Sequence, residues 1–134
     1  MTNDPFLLAG KNFESRLLMG SSGFSSQQVM MQALIESRAQ IVTVAVRRIN
    51  LQAGKDARNL SVQNLLREKA YTLLPNTAGC YTAEEAVFAA ELAREALQTD
   101  WVKLEVVGER ETLYPDAAEL LRAAETLVKK GFTV

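Results

Sequence analysis

A chain of 134 residues with 48% apolar and 23% charged side chains has the size and composition of one folded domain. Its 15 basic and 16 acidic residues leave a formal charge of -1 with no basic cluster, which excludes the electrostatic footprint of a nucleic-acid surface. Histidine is absent and Cys80 is the sole cysteine, so this chain alone offers no histidine base, serine-histidine triad, structural zinc site or internal disulfide. A lone thiol fits a reducing compartment. No apolar run nears the roughly 20 residues of a membrane span and no basic-then-apolar leader opens the chain, so the expected location is the cytoplasm.

In chain order, Phe6-Leu7-Leu8 and Asn12-Phe13-Glu14 flank Ala9-Gly10-Lys11 and predict a hairpin within about residues 6–15 that plugs an open end of the core. Arg16 to Met19 reads as a first buried strand, stopped by Gly20-Ser21-Ser22-Gly23. Backbone donors in such a turn can hold a phosphate, but this one matches neither the P-loop nor the dinucleotide fingerprint and reads as a plain connection. Ser25 and Gln28 form a capping box for a first helix, Ser26 to Arg38. Ile41 to Val46, β-branched and apolar, is a second strand. Arg47 and Arg48 at its end are an anion candidate, with a solvated terminus as the default.

Asn50 to Asn59 reads as a long loop, and Ser61 to Lys69 as a short helix with Val62, Leu65 and Leu66 inward. Tyr71 to Leu74 is a third strand that Pro75 to Gly79 ends, leaving Asn76 and Thr77 at the C-terminal end of the sheet, where α/β folds bind ligands. These two are candidate substrate-binding residues. Cys80 has no basic neighbour and reads as inert. Thr82-Ala83-Glu84-Glu85 is a capping box opening an alanine-rich helix to Leu97. Pro115-Asp116 with Glu119 starts a last helix, whose Ala117, Leu120, Leu121, Ala124, Leu127 and Val128 keep helical period up to Gly131. Phe132-Thr133-Val134 looks like the opening of a fifth strand.

Between these helices lies Asp100 to Val107. As a strand it sends Val102, Leu104 and Val106 to one face and Trp101, Lys103 and Glu105 to the other. Parallel strands are normally apolar on both faces because both are covered. A charged pair on one face therefore sits where water or a ligand reaches it, and Lys103 is the candidate reactive group. The bland alternative is a solvated surface pair worth a few tenths of a kcal/mol.

The four strand-helix units have the spacing of βαβ repeats with right-handed crossovers. Two α/β architectures fit them: an open five-stranded sheet with helices on both faces, or the N-terminal half of a (βα)8 TIM barrel, covering four βα units and the start of strand five over residues 1–134. The charged face of the fourth strand favours the barrel.

The runs Val42-Thr43-Val44-Ala45-Val46-Arg47-Arg48, Leu73-Leu74-Pro75-Asn76-Thr77-Ala78-Gly79, Thr82-Ala83-Glu84-Glu85-Ala86 and Thr99-Asp100-Trp101-Val102-Lys103-Leu104-Glu105-Val106 together resemble the bacterial thiazole synthase of thiamine biosynthesis, over Phe13 to Val134. That family is a (βα)8 barrel about twice this length, so the likeness is to its N-terminal half. The resemblance implies a sulfur-transferring enzyme without a cofactor, which builds the thiazole phosphate moiety of thiamine. It implies that Lys103 forms an imine with deoxyxylulose phosphate and that Glu105 takes part in proton transfers. It further implies partners: a small carrier protein bearing a thiocarboxylate as sulfur source, and an enzyme that supplies dehydroglycine.

Two departures stand out. The first βα turn, Gly20-Ser21-Ser22-Gly23-Phe24, lacks the lysine of the family's Gly-Thr-Gly-Lys, and the phosphate loops and a second catalytic carboxylate belong to the other half. This chain alone is therefore expected to be inactive.

The chemistry suits the residues. An imine-forming amine must be unprotonated to attack a ketone, and a carboxylate on the same face can shuttle protons at the carbons beside the imine. Two other readings compete. A non-catalytic α/β interaction module would use its unpaired strand edges for partners, and such edges also predict homo-oligomers. A class I aldolase would likewise use an imine lysine on a barrel strand.

Overall fold

Ala9 and Gly10 both have positive φ, 48° and 76°, and turn the chain tightly so that β1 (Phe6–Leu8) pairs antiparallel with β2 (Lys11–Phe13). This is the two-residue turn whose twist matches a hairpin, and glycine adopts its second position without a Cβ penalty. The structure, a computed structural model, describes residues 4, 6–46 and 64–134. Arg47, Arg48, the Asn50 to Asn59 loop and the start of the second helix lie outside the described residues.

A parallel sheet follows, built from β3 (Leu18–Gly20), β4 (Ile41–Ala45) and β5 (Thr72–Asn76), with β4 in the middle. Leu18 pairs with Ile41 and Ile41 with Thr72, and the register then runs unbroken to Ala45 with Asn76. Beyond β5 the order continues in the sense of the chain: Lys103 bridges Asn76, and Thr133 bridges Trp101, both parallel.

Three helices connect these strands, α1 (Gln27–Ser37), α2 (Ala83–Leu97) and α3 (Ala117–Lys129), with residues 64–68 also helical. The cap of α1 is Ser26, one residue later than the expected Ser25; its hydroxyl accepts the Val29 amide at 3.2 Å. Thr82 caps α2 by accepting from Glu85, whose carboxylate in turn accepts the Tyr81 amide. Asp116 caps α3 through the Glu119 amide.

All these helices pack on one face of the sheet. Met30 and Leu34 of α1, with Leu66 and Leu97, meet Val42, Val44 and Leu73. The alanines of α2 allow close approach: Ala83 and Ala86 pack with Val106, and Ala90 with Val102, while Ala123 and Leu127 of α3 complete these clusters. Burying Leu127 fully makes its truncation to alanine a loss of about 2 to 5 kcal/mol. The opposite face is covered at the strand starts by the hairpin, whose Phe13 packs with Ile41, Leu74 and Trp101. The Phe13 and Trp101 rings meet edge to face, 6.0 Å apart.

Two further sequence expectations are corrected. Pro75 does not end the third strand; it lies inside β5, fully buried and paired with Val44, and its carbonyl accepts the Lys103 amide at 2.8 Å. The ring removes one donor and keeps the acceptor the next strand uses. The first strand is not buried, because Leu17 and Leu18 at the edge of the sheet are 50% and 39% exposed. On α3 the apolar stripe is wider than the surface covering it, leaving Leu121 and Val128 exposed.

Candidate functional site

Residues 101–107 run as a fourth strand held by scattered bonds rather than a full ladder. On one side Lys103 donates to Pro75 and accepts from Thr77 N; on the other Val102 donates to Thr133. Pro75, whose ring leaves no amide to donate to this strand, accounts for one missing rung. The faces alternate as the sequence predicts: Val102 and Val106 enter the helix-side clusters, joined by Leu104, and Trp101 enters the hairpin cluster on the other side.

Lys103 and Glu105 therefore emerge on the helix-free face, at the C-terminal end of the strands. Their side chains are 45% and 37% exposed and close a salt bridge between Lys103 Nζ and Glu105 Oε1. Asn76, level with Lys103 on the neighbouring strand, is half-buried, and its Oδ1 accepts the Ala78 amide at 3.3 Å. Three of the four residues singled out from the sequence thus meet on one surface: an amine, a carboxylate and an amide.

Thr77 is placed differently. It is 1% exposed, and its hydroxyl donates to the Glu105 carbonyl and accepts the Glu105 amide, each at 2.8 Å. A group so committed holds the strand rather than facing a ligand, a role the sequence signals only by a hydroxyl two residues after a strand proline.

An apolar cavity of about 400 Å³ adjoins Lys103, with Leu74, Trp101, Leu18 and Val134 among its walls. Lys103 is the one charged residue lining it among the described residues, so nothing else there balances a phosphate. The connection after the fourth strand is braced by Glu109, whose carboxylate accepts the Thr112 and Glu111 amides and the Thr112 hydroxyl; these bonds, the Thr112 amide first, hold its pKa down to about 2. Arg110 in the same connection stacks on Tyr81, 4.9 Å from the ring centre. Among the described residues no three Cys, Asp or Glu side chains converge as metal ligands would, and no helix is long and apolar enough to cross a membrane.

The sequence profile of the family described as Thiazole biosynthesis protein ThiG matches residues 7–134. The chain belongs to this family. Proteins named thiazole synthase are similar to it: that of Geobacter metallireducens is 53% identical over 133 residues, 99% of this chain and 50% of the relative. That of Azorhizobium caulinodans is 49% identical over 131 residues, 98% of this chain and 47% of the relative. That of Geobacter sulfurreducens is 52% identical over 132 residues, 98% and 49% respectively. The chain spans about half the length of these curated relatives. Its parallel sheet and alternating strands and helices agree with the ThiG family fold.

Proposed function

We propose that this chain is the N-terminal half of a (βα)8-barrel thiazole synthase, in which Lys103 forms an imine with deoxyxylulose phosphate and Glu105 moves protons. The observation that carries the reading is the Lys103 to Glu105 pair on the helix-free face, at the strand ends and level with Asn76. Barrel geometry is supported by strands that neighbour one another in chain order and helices confined to one face, since a doubly wound sheet reverses its order and covers both faces.

In this mechanism the Lys103 ammonium yields a proton, for which Glu105 is the paired acceptor, and the free amine attacks the ketone carbon. The new C=N bond forms as the ketone oxygen leaves as water. Glu105 then serves the carbons beside the imine, and Asn76 offers its amide to a sugar hydroxyl. Sulfur arrives from a thiocarboxylated carrier protein, and dehydroglycine from a partner enzyme supplies the remaining carbon and nitrogen. The phosphate grip comes from the other half of the barrel. The complete enzyme works in the cytoplasm as a homo-oligomer.

The test is borohydride trapping. This chain is co-expressed with the C-terminal half of the Geobacter metallireducens relative and incubated with deoxyxylulose phosphate and borohydride. The expected result is a mass adduct on Lys103; its absence would sink the imine. Sulfur appearing in the product separates this chemistry from that of a class I aldolase.

A second reading, a non-catalytic interaction module, is favoured by one observation: apolar side chains lie uncovered on both flanks, Leu121, Val128 and Val134 on one and Leu17, Leu18 and Ile35 on the other. Lys103→Ala distinguishes the two. A catalyst loses turnover with assembly intact, whereas a module is unchanged.

A further inference from the structure

We propose that Thr77 is a positioning residue for the reaction, its hydroxyl standing in for the backbone carbonyl that would otherwise pair with Glu105. The inference rests on the imine reading above and extends it to a residue that touches no reacting atom.

Along this edge the parallel ladder starts regularly. Lys103 N donates to the Pro75 carbonyl at 2.8 Å, and Thr77 N donates to the Lys103 carbonyl at 3.2 Å. The next bond of a regular parallel ladder would run from the Glu105 amide to the Thr77 carbonyl. That carbonyl accepts the Cys80 amide instead, at 3.1 Å, because the chain turns there. The Thr77 hydroxyl fills the gap, accepting from Glu105 N and donating to Glu105 O, both at 2.8 Å.

One buried side chain thus satisfies both main-chain polar groups of Glu105. Threonine is suited to this, since its branched Cβ restricts χ1 and holds the hydroxyl in one direction. The clamp grips the main chain of Glu105, while its carboxylate reaches Lys103 Nζ. Fixing the two peptide planes around Glu105 fixes where its side chain starts, and with it the approach to Lys103 Nζ two residues earlier. Lys103 on one side is bonded to Pro75 and Thr77, and on the other Val107 N donates to the Cys80 carbonyl and the Val106 carbonyl accepts from Asp116 N, so the clamp closes the gap at Glu105 between two anchored points.

The experiment uses the assembly with the complementary half described above and follows the rate of borohydride-trapped adduct against deoxyxylulose phosphate concentration. Thr77→Val, equal in shape but without the hydroxyl, lowers the maximal rate roughly 10- to 100-fold while the half-saturating concentration stays nearly constant. Thr77→Ser, which keeps the hydroxyl, retains most of the rate. Amide exchange at Glu105 speeds up in the valine variant and is unchanged in the serine variant. A valine variant that traps at the wild-type rate overturns the proposal, as does a serine variant as slow as the valine one. If the valine variant does not fold, the folded serine variant decides: a near-native rate supports the hydroxyl role, and a loss of more than about tenfold overturns it. A wild-type assembly that gives no adduct overturns the imine reading and this proposal together. A trapped wild type with an indifferent valine variant removes Thr77 alone.

Discussion

Glu119 of α3 accepts the main-chain N–H of Ala83, the first residue of α2, at 2.7 Å. A carboxylate from one helix thereby satisfies an amide that another helix leaves open at its start. Arg122 reaches both Glu119 and Glu84, tying the same two helices from α3. Glu119→Ala should cost about 1 to 2 kcal/mol, and Glu119→Gln, which keeps an acceptor, clearly less. Thermal unfolding of the two variants checks the order; equal losses would mean that charge, not capping, matters.

Lys103→Ala should abolish the borohydride adduct in the assembly with the complementary half yet change stability by less than about 1 kcal/mol, because the Glu105 pair is half-exposed and salt-screened. Glu105→Gln, which removes the proton acceptor paired with Lys103, should slow adduct formation and the later proton transfers without abolishing the adduct. Trapping and product formation, measured side by side, separate these effects. A Lys103→Ala protein that unfolds would instead assign the lysine to the scaffold.

A side chain at Gly108 would crowd the start of α3. A Cβ there would lie 3.2 Å from the Asp116 nitrogen and 3.3 Å from its Cα, and backbone cannot move aside as a flexible side chain can. Gly108→Ala should therefore displace the residue that caps α3 and destabilise the fold by about 1 to 3 kcal/mol. Chemical denaturation with an unchanged midpoint would refute this.

Glu109 provides the pH-dependent case. Its carboxyl is held down to about 2 from an ordinary 4.5 by the amides of its own turn, the Thr112 amide first. A carboxylate lowered in the fold contributes stability that is fully present above the unfolded value near 4.5 and is lost as pH falls through about 2. A carbon-13 NMR titration should place its midpoint near that lower value, and Glu109→Gln should loosen the 109–112 turn at neutral pH. A midpoint at the ordinary carboxylate position would contradict the turn geometry.

The sequence made the long periodic elements readable and missed what depends on neighbours. β4, α2 and α3 carry β-branched or helical periods strong enough to place them to within a residue or two. Pro75 misled because a proline is harmless in a strand when the lost donor faces an irregular partner, and that partner is not visible from local residues. Leu17 and Leu18 read as core because an edge position has no signature in composition. At the site, alternation alone put Lys103 and Glu105 on one face, and the strand end brought Asn76 beside them. The commitments of Thr77 to Glu105 and of Glu119 to Ala83 span 28 and 36 residues, and no local pattern announces them.

The seat of the hairpin has a practical consequence. Trp101 is the sole indole of the chain, and it is wedged between Phe13 of the hairpin, Leu74 of the sheet and the Lys11 ammonium, while its strand carries the ion pair of Lys103 and Glu105 further on. Its emission is therefore a built-in optical gauge of whether the hairpin is seated on the sheet, readable without any label while the opposite end of the same strand is being interrogated chemically.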